Sequence, residues 1–481
     1  MRTAGGFRNR SLAKSMDWWL IGCWVILVLI GWANIYASIH STDPSSIFDW
    51  GCRSGKQFVW IMTSVGIGGL ILFAIPPRVY EGLSVPIYAF VLLLLVAVIF
   101  LGVEVKGSRS WFAFGPVRFQ PAEISKISTS LLLATVMSQL GYRIGRLKDF
   151  IITALIILIP MAIIVLQSET GSALVYVGFI FMLYREGLSG WLIFIVGMAI
   201  LLFILTISVS PYVAVLTLAG VASLCISLYS GRFRWWVFIF IPLIVLFAFL
   251  PKIFSLVPWL ASVEPLWVLI GCSLLSLPFV AFQAFRERNT FTHLAVLSFL
   301  AGLVLVFSAD FLFNDVLQDH QRKRIEVLLG MKEDPSGVGY NVNQSKIAIG
   351  SGGFFGKGYL NGTQTTYGFV PEQSTDFIFC TVGEEWGFVG CSFVILLYVF
   401  LMWRIIHDAE RSREAFTRIY GYCVACCIFM HLFINIGMTI GLMPVIGIPL
   451  PLVSYGGSSM WGFTAMLFIF IALDRNERKY F

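Results

Sequence analysis

Between Tyr340 and Glu385 the sequence gathers what its apolar runs lack: glycine, amide, hydroxyl and charged side chains, in YNVNQSKIAIGSGGFFGKGYLNGTQTTYGFVPEQSTDFIFCTVGEE. Asp376 closes PEQSTD and immediately precedes the apolar FIFCTV, so its carboxylate falls at the mouth of a helix. A carboxylate held there can accept the proton of an attacking hydroxyl. The bland alternative is a helix-terminus carboxylate contributing a few tenths to about 1 kcal/mol. A second group, KGSRSWFAFGPVRFQPAEISKI from Lys106 to Ile127, sets Pro121 in a first helical turn and Glu123 and Lys126 three apart on one face. Ionisable groups inside an apolar helix are costly and face a protein interior or a watery cavity, although a self-neutralising structural pair would also satisfy them. Glu169, in LQSETGSALV, stands where an acidic side chain favours a helix N-terminus. GSGGFFGKG is not a nucleotide P-loop: Ser351 occupies the position five before Gly356, and Gly358 follows Lys357 where Ser or Thr is required.

The elements that must position these groups are membrane helices. Hydrophobic residues make up 58% of the chain and charged residues only 12%, where a soluble domain carries about 25% charge. Apolar windows of about 20 residues recur from Asp17 to Leu473, long enough to cross the hydrocarbon core and too long for barrel strands. The expected fold is an all-α polytopic bundle of about 14 spans, near 17–38, 57–76, 84–103, 121–140, 150–167, 170–184, 190–209, 211–229, 234–256, 265–283, 291–313, 377–403, 416–440 and 449–473. A long external loop, 314–376, precedes the twelfth. The basic start MRTAGGFRNRSLAKSM is expected to lead an uncleaved first helix from the cytoplasm, since a cleavable signal has a shorter apolar core and a small-residue cleavage site.

Charge supports this topology. Every segment placed inside carries a basic residue: Arg2, Arg8, Arg10 and Lys14; Arg78; Arg143, Arg146 and Lys148; Arg185; Arg232 and Arg234; Arg286 and Arg288; Arg404, Arg411, Arg413 and Arg418; Arg475, Arg478 and Lys479. Two outer loops are basic as well, one with Lys106, Arg109 and Arg118, the other with Arg322, Lys323, Arg324, Lys332, Lys346 and Lys357. Solvated loop charge is one reading and an anionic ligand at that face the other. The nine cysteines fall mostly in apolar runs, with Cys52 in an external loop; Cys423, Cys426 and Cys427 lie within an apolar helix, which makes them core or lipid-facing thiols. No clustered ligand set with metal spacing is visible, so the sequence is silent on whether Mg2+ or Mn2+ assists.

GSRSW with FQPAEISK, QSKIAIGSGGFFGKG, GTQ, PEQSTDFIF, GEEWGFVG and GLMPVIGIPLPLVSYGGSS, in this order, resemble the shape, elongation, division and sporulation (SEDS) family, and GTQ and GIPLPLVSYGGSS are most similar to its elongation members. The resemblance implies a peptidoglycan glycosyltransferase that polymerises lipid II on the outer face of the bacterial cytoplasmic membrane, releases undecaprenyl pyrophosphate and works beside a class B penicillin-binding protein. It puts the family's essential aspartate on Asp376, the acid and base of its fourth span on Glu123 and Lys126, and its loop glutamate on Glu372. Substrate-binding candidates are Arg109, Lys346, Gln344 and Ser458, with Arg109 and Lys346 assigned to phosphate. Membrane lipid is the expected surroundings, and no nucleic acid is expected.

Three features depart from the family pattern. Ser374 stands in place of a histidine, Gln167-Ser168-Glu169-Thr170-Gly171 in place of QPDLG, and the region from Gly190 to Phe313 is too long. A ten-span core with four inserted spans keeps the catalytic stretch outside. Residues 1–209 then form the N-terminal half of the membrane core, 210–290 the inserted helices, and 291–481 the C-terminal half. A lipid flippase would place charge near mid-membrane in discontinuous helices with an internal repeat. A non-catalytic scaffold would leave the grouped acids and bases without a role.

Overall fold

The computed structural model describes residues 16–40, 46–229 except 106 and 116, 264–286, 290–311 and 338–478, with scattered positions between 243 and 331. The basic start (Arg2, Arg8, Arg10, Lys14), Lys106, Arg232, Arg234, Arg288, Arg324, Lys332, Lys479, most of the expected span 234–256 and much of 314–337 lie outside the described residues. Two compact units are distinguished, Met1–Leu188 with Asp334–Phe481, and Ser189–Glu333. Among the described residues, 11 helices are long and apolar enough to cross a membrane, as expected of a multi-pass helical membrane protein.

The first unit opens with α1 (Trp18–Ile39), which starts where the Asp17 carboxylate accepts the N–H groups of Trp19 and Leu20. It continues through α2 (Arg53–Phe73), α3 (Arg78–Gly82) and α4 (Ser84–Leu101). Three short strands follow, β1 (Val103–Val105), β2 (Ser108–Phe114) and β3 (Val117–Phe119), antiparallel in the order β1-β2-β3. Then come α5 (Pro121–Met137), α6 (Leu147–Leu166), α7 (Thr170–Val175) and, after a single 3-10 turn, α8 (Phe179–Arg185). Helix α5 is buried along nearly its whole length although it is rich in hydroxyls. Ser125, Ser128 and Ser130 return their hydroxyls to carbonyls three or four residues back, which lets a polar helix sit inside.

The second unit contains α9 (Gly190–Ser208), α10 (Pro211–Tyr229), α11 (Pro265–Arg286) and α12 (Thr290–Phe311). It has its own core around Leu202, Val215, Leu218, Phe299, Leu303 and Val306. The first unit resumes with α13 (Val338–Ser351), α14 (Ile378–Arg411), α15 (Ala415–Thr439) and α16 (Gly457–Arg478). α14 packs on α1 and α15, α16 on α2, and α5 on α4 and α15. α15 and α16 are buried over most of their length and form the centre of this unit with α5.

Three local features differ from the sequence expectation. The loop 103–119 is a sheet: Val105 pairs with Ser108 across a short turn with Gly107 at φ 84°, the left-handed geometry a tight hairpin needs. Residues 338–351, expected in the long external loop, form α13. At 34 residues α14 would be about 51 Å long as a regular helix, against about 30 Å of hydrocarbon. It is broken at Gly387 (φ 65°, ψ −159°).

That break explains the glycine-rich run. A Cβ on Gly356 would collide with the Glu385 carbonyl, and one on Gly387 with the Gly356 amide, so the two backbones meet where only glycine fits. The amides of Lys357 and Gly358 donate to the Glu384 and Glu385 carbonyls at 3.0 Å each, and Phe388 N donates to Gly353 O at 3.0 Å. The two loop amides satisfy carbonyls exposed by the broken helix, and the Gly353 carbonyl satisfies the freed Phe388 amide.

Candidate active site

The Asp376 carboxylate is half-buried at the end of a turn shaped by Glu372. Glu372 takes a positive φ of 54°; its carbonyl accepts the amides of Thr375 (3.1 Å) and Phe377 (3.3 Å), and its carboxylate accepts the Thr375 hydroxyl (3.1 Å). The next three carbonyls are then held by three different donors. Ser374 O accepts from Tyr455 N at 2.9 Å, Thr375 O from Ser454 Oγ at 2.6 Å, and Asp376 O from Asn435 Nδ2 at 2.8 Å. Ser374, which stands where the family has histidine, accepts from Arg53 Nη1 at 2.6 Å. The Asp376 carboxylate lies over Gly447, where φ is 79° and an added Cβ would stand 3.3 Å from Oδ2. These bonds hold the backbone from which the Asp376 carboxylate projects.

Glu123 and Lys126 meet at 2.8 Å and are both buried, as their i, i+3 spacing on α5 allows. Lys126 Nζ also lies 2.8 Å from His431 Nε2 on α15 and 4.9 Å from the centre of the Phe463 ring on α16. His431 Nδ1 is 3.1 Å from the Pro449 carbonyl, which can only accept, so Nδ1 carries the proton and Nε2 accepts from the ammonium. The ammonium is therefore surrounded by a carboxylate, an imidazole lone pair and an aromatic face. The second carboxylate oxygen of Glu123 is buried without a hydrogen-bond partner.

The remaining candidates are dispersed. Ser458, at the start of α16, accepts from Gln120 N (3.2 Å) and donates to Arg118 O (2.9 Å), closing the β3–α5 junction onto that helix. Arg109 is exposed on β2 and pairs with Glu104 at 3.4 Å. On α13, Gln344 is half-buried and Lys346 exposed; Lys346 runs beside Gly441, just past the end of α15, where a cation complements the helix dipole. Between them Ser345 Oγ donates to Thr439 O at 2.6 Å.

Glu169 occupies the N-cap position of α7 without a side-chain cap bond. Its carboxylate instead accepts from Ser110 Oγ (2.6 Å) and Gln120 Nε2 (2.9 Å), tying the sheet to α7. Lys357, last of the cations placed in the outer loops, is committed to Glu384 at 2.6 Å. Glu384 is fully buried and also accepts the amides of Thr363, Gln364 and Thr365 at 2.7–2.8 Å, so GTQ is a backbone cradle for this carboxylate. His431, Asn435 and Arg53 are not among the residues the sequence singles out. A polar pair four apart in the otherwise apolar HLFIN is the available signal for the first two.

A multi-pass helical bundle with an anchored carboxylate at one mouth and a buried acid–base pair beneath its central helices defines the class. The FtsW, RodA and SpoVE family model, described as a cell cycle protein, matches residues 17–224 and 253–479. This chain belongs to that family, the SEDS family of its motifs. It is 32% identical to the peptidoglycan glycosyltransferase RodA of Treponema pallidum, over 97% of this chain and 98% of that protein. It is likewise 32% identical to the peptidoglycan glycosyltransferase MrdB of Escherichia coli K12, over 81% of this chain and 77% of the relative. Among solved structures, a chain from a peptidoglycan synthase complex that coordinates polymerization and crosslinking matches with a TM-score of 0.61 at 24% identity, covering 96% of this chain and 98% of that one.

Proposed function

We infer that this protein is a peptidoglycan glycosyltransferase that polymerises lipid II into glycan strands during cell elongation and releases undecaprenyl pyrophosphate. The anchoring of three consecutive carbonyls, Ser374 to Asp376, by three separate donors is the observation that carries the reading. Together with the Arg53–Ser374 contact, it holds in place the backbone that carries a single carboxylate.

In the proposed reaction a sugar hydroxyl of one lipid-linked disaccharide attacks the anomeric carbon of another. The bond to the lipid pyrophosphate breaks, and Asp376 takes the hydroxyl proton. Arg109 and Lys346, both exposed on their elements, are the proposed cations for the pyrophosphate. Gln344 and Ser458 are proposed to contact substrate, and Glu372 to support the Asp376 turn. Glu123 and Lys126 sustain the polar interior that the site rests on. Among the described residues no three His, Cys, Asp or Glu side chains gather as a metal site, and no step here runs through Mg2+ or Mn2+.

The working location is the bacterial cytoplasmic membrane, with both termini cytoplasmic and the Asp376 end outside. The clustering of Arg404, Arg411 and Arg478 with Asp17, Asp408 and Asp474 at the opposite end supports that orientation. A class B penicillin-binding protein is the proposed partner. Purified protein should polymerise lipid II in detergent with this partner present, and Asp376→Asn should do so about 10²–10⁴-fold more slowly. Movement of lipid II across vesicles with no dependence of polymer on Asp376 would favour a flippase instead.

A further inference from the structure

We propose that Asn435 is a positioning residue for the reaction, setting the Asp376 carboxylate against Gly447, and that His431 one turn earlier joins the buried Glu123–Lys126 pair to the same segment. The proposal rests on the functional reading above.

Asn435 is completely buried on α15, and both hydrogens of its amide are used. One goes to Asp376 O at 2.8 Å and the other to Ile448 O at 2.7 Å, while Oδ1 is buried without a partner. A flipped amide would aim its oxygen at two carbonyls, so the network admits one orientation. A single side chain thus ties the carboxylate's own peptide to the irregular segment beside it.

That segment needs such ties. In Gly447-Ile448-Pro449-Leu450-Pro451 two residues lack an N–H, and Gly447 lies in the left-handed region at φ 79°, so no regular ladder can register the segment. Its consecutive carbonyls at Ile448 and Pro449 are instead held by Asn435 and His431, which lie four apart on one face of α15. His431 reaches Lys126 with its other nitrogen at 2.8 Å. One face of α15 therefore sets the register of Gly447 under Asp376 and of the buried ammonium together.

The test uses Asn435→Ala and Asn435→Asp in full-length protein purified with its partner, assayed on lipid II per mole of monodisperse protein. Asn435→Asp preserves volume and removes the amide donors. Positioning predicts that kcat falls about 10- to 100-fold in both variants with KM nearly unchanged, the loss expected for a base displaced by about 1 Å. Hydrogen exchange should rise in peptides covering 372–380 and 444–452 and stay level elsewhere. A packing role predicts that only the yield of folded protein falls, with kcat per folded molecule at the wild-type level in both variants. Normal kcat in both variants, or exchange raised evenly through the chain, overturns the proposal. Asp376→Asn is measured alongside: near-wild-type turnover in that variant refutes the base assignment itself, whereas loss there with normal kcat at both Asn435 variants refutes only the positioning role.

Discussion

Removing one member of the Glu123–Lys126 pair should not cost the same from either side. The pair is buried on both sides and meets at 2.8 Å. Lys126→Met strips the ammonium from a carboxylate whose second oxygen already lacks a partner, leaving a buried charge uncompensated. Breaking a buried pair this way costs about 3–5 kcal/mol. Glu123→Gln leaves the ammonium with His431 Nε2 and the Phe463 face, and the Gln carbonyl can still accept from it. Only a charge-assisted contribution of about 1.5–3 kcal/mol is then at stake. The double variant removes both charges and should recover more than about 1 kcal/mol relative to the sum of the single changes. Thermal inactivation midpoints in one detergent, read with polymerisation rate per folded molecule, give the order: wild type highest, Glu123→Gln next, Lys126→Met lowest, the double variant above the additive expectation. Strict additivity, or Glu123→Gln falling below Lys126→Met, would refute the reasoning that the two charges neutralise each other and that His431 shares the ammonium.

Asp376→Asn should slow turnover about 10²–10⁴-fold while expression and partner binding persist, as checked by glycan formation from lipid II and co-purification. Glu384→Gln puts an amide N–H₂ among the N–H donors of Thr363, Gln364 and Thr365 and loses the Lys357 ion pair, so it should loosen 357–365 by about 3–5 kcal/mol. Proteolysis confined to that loop would register the change, and an unchanged cleavage pattern would count against the cradle. Deleting an even number of spans within about 212–291, which carry none of the motif residues, should leave polymerase activity in protein that still folds; complete loss in a well-folded deletion would show that the region contributes to chemistry.

The spans are legible in the sequence because lipid leaves the backbone no partner but itself, so twenty apolar residues in a row have one structural outcome. Helix ends at Trp18, Ser84 and Pro121 lie close to where hydropathy and the proline place them. The β1–β3 sheet is hidden because its strands are short and loop charge dominates their alternating pattern, and α13 because its glycine and amide content masks a helix that packs on α14. The charged candidates stand out for the opposite reason: Glu123, Lys126 and Asp376 are conspicuous beside apolar neighbours. Their partners are not legible, since His431 lies 305 residues from Lys126 in sequence and Asn435 lies 59 from Asp376.

The motif residues divide into those that face chemistry and those that build its support, and spacing alone does not separate the two. GSGGFFGKG looks like an anion loop, yet its amides meet the carbonyls of a broken helix. GTQ is one of the motifs that carry the family resemblance, and its Thr363 and Gln364 amides enclose Glu384. In each case an N–H group that could have bound phosphate is already satisfied by protein oxygen, and a satisfied donor gains little by exchanging one acceptor for another. The physical question to ask of a glycine- or hydroxyl-rich motif is therefore where its donors end. At Asp376 the carbonyls of the turn are consumed by Tyr455, Ser454 and Asn435 while the carboxylate lies over a residue with no side chain. That difference, carbonyls taken up by three separate donors and a carboxylate set beside a glycine, is why we propose this turn as the reacting part of the stretch.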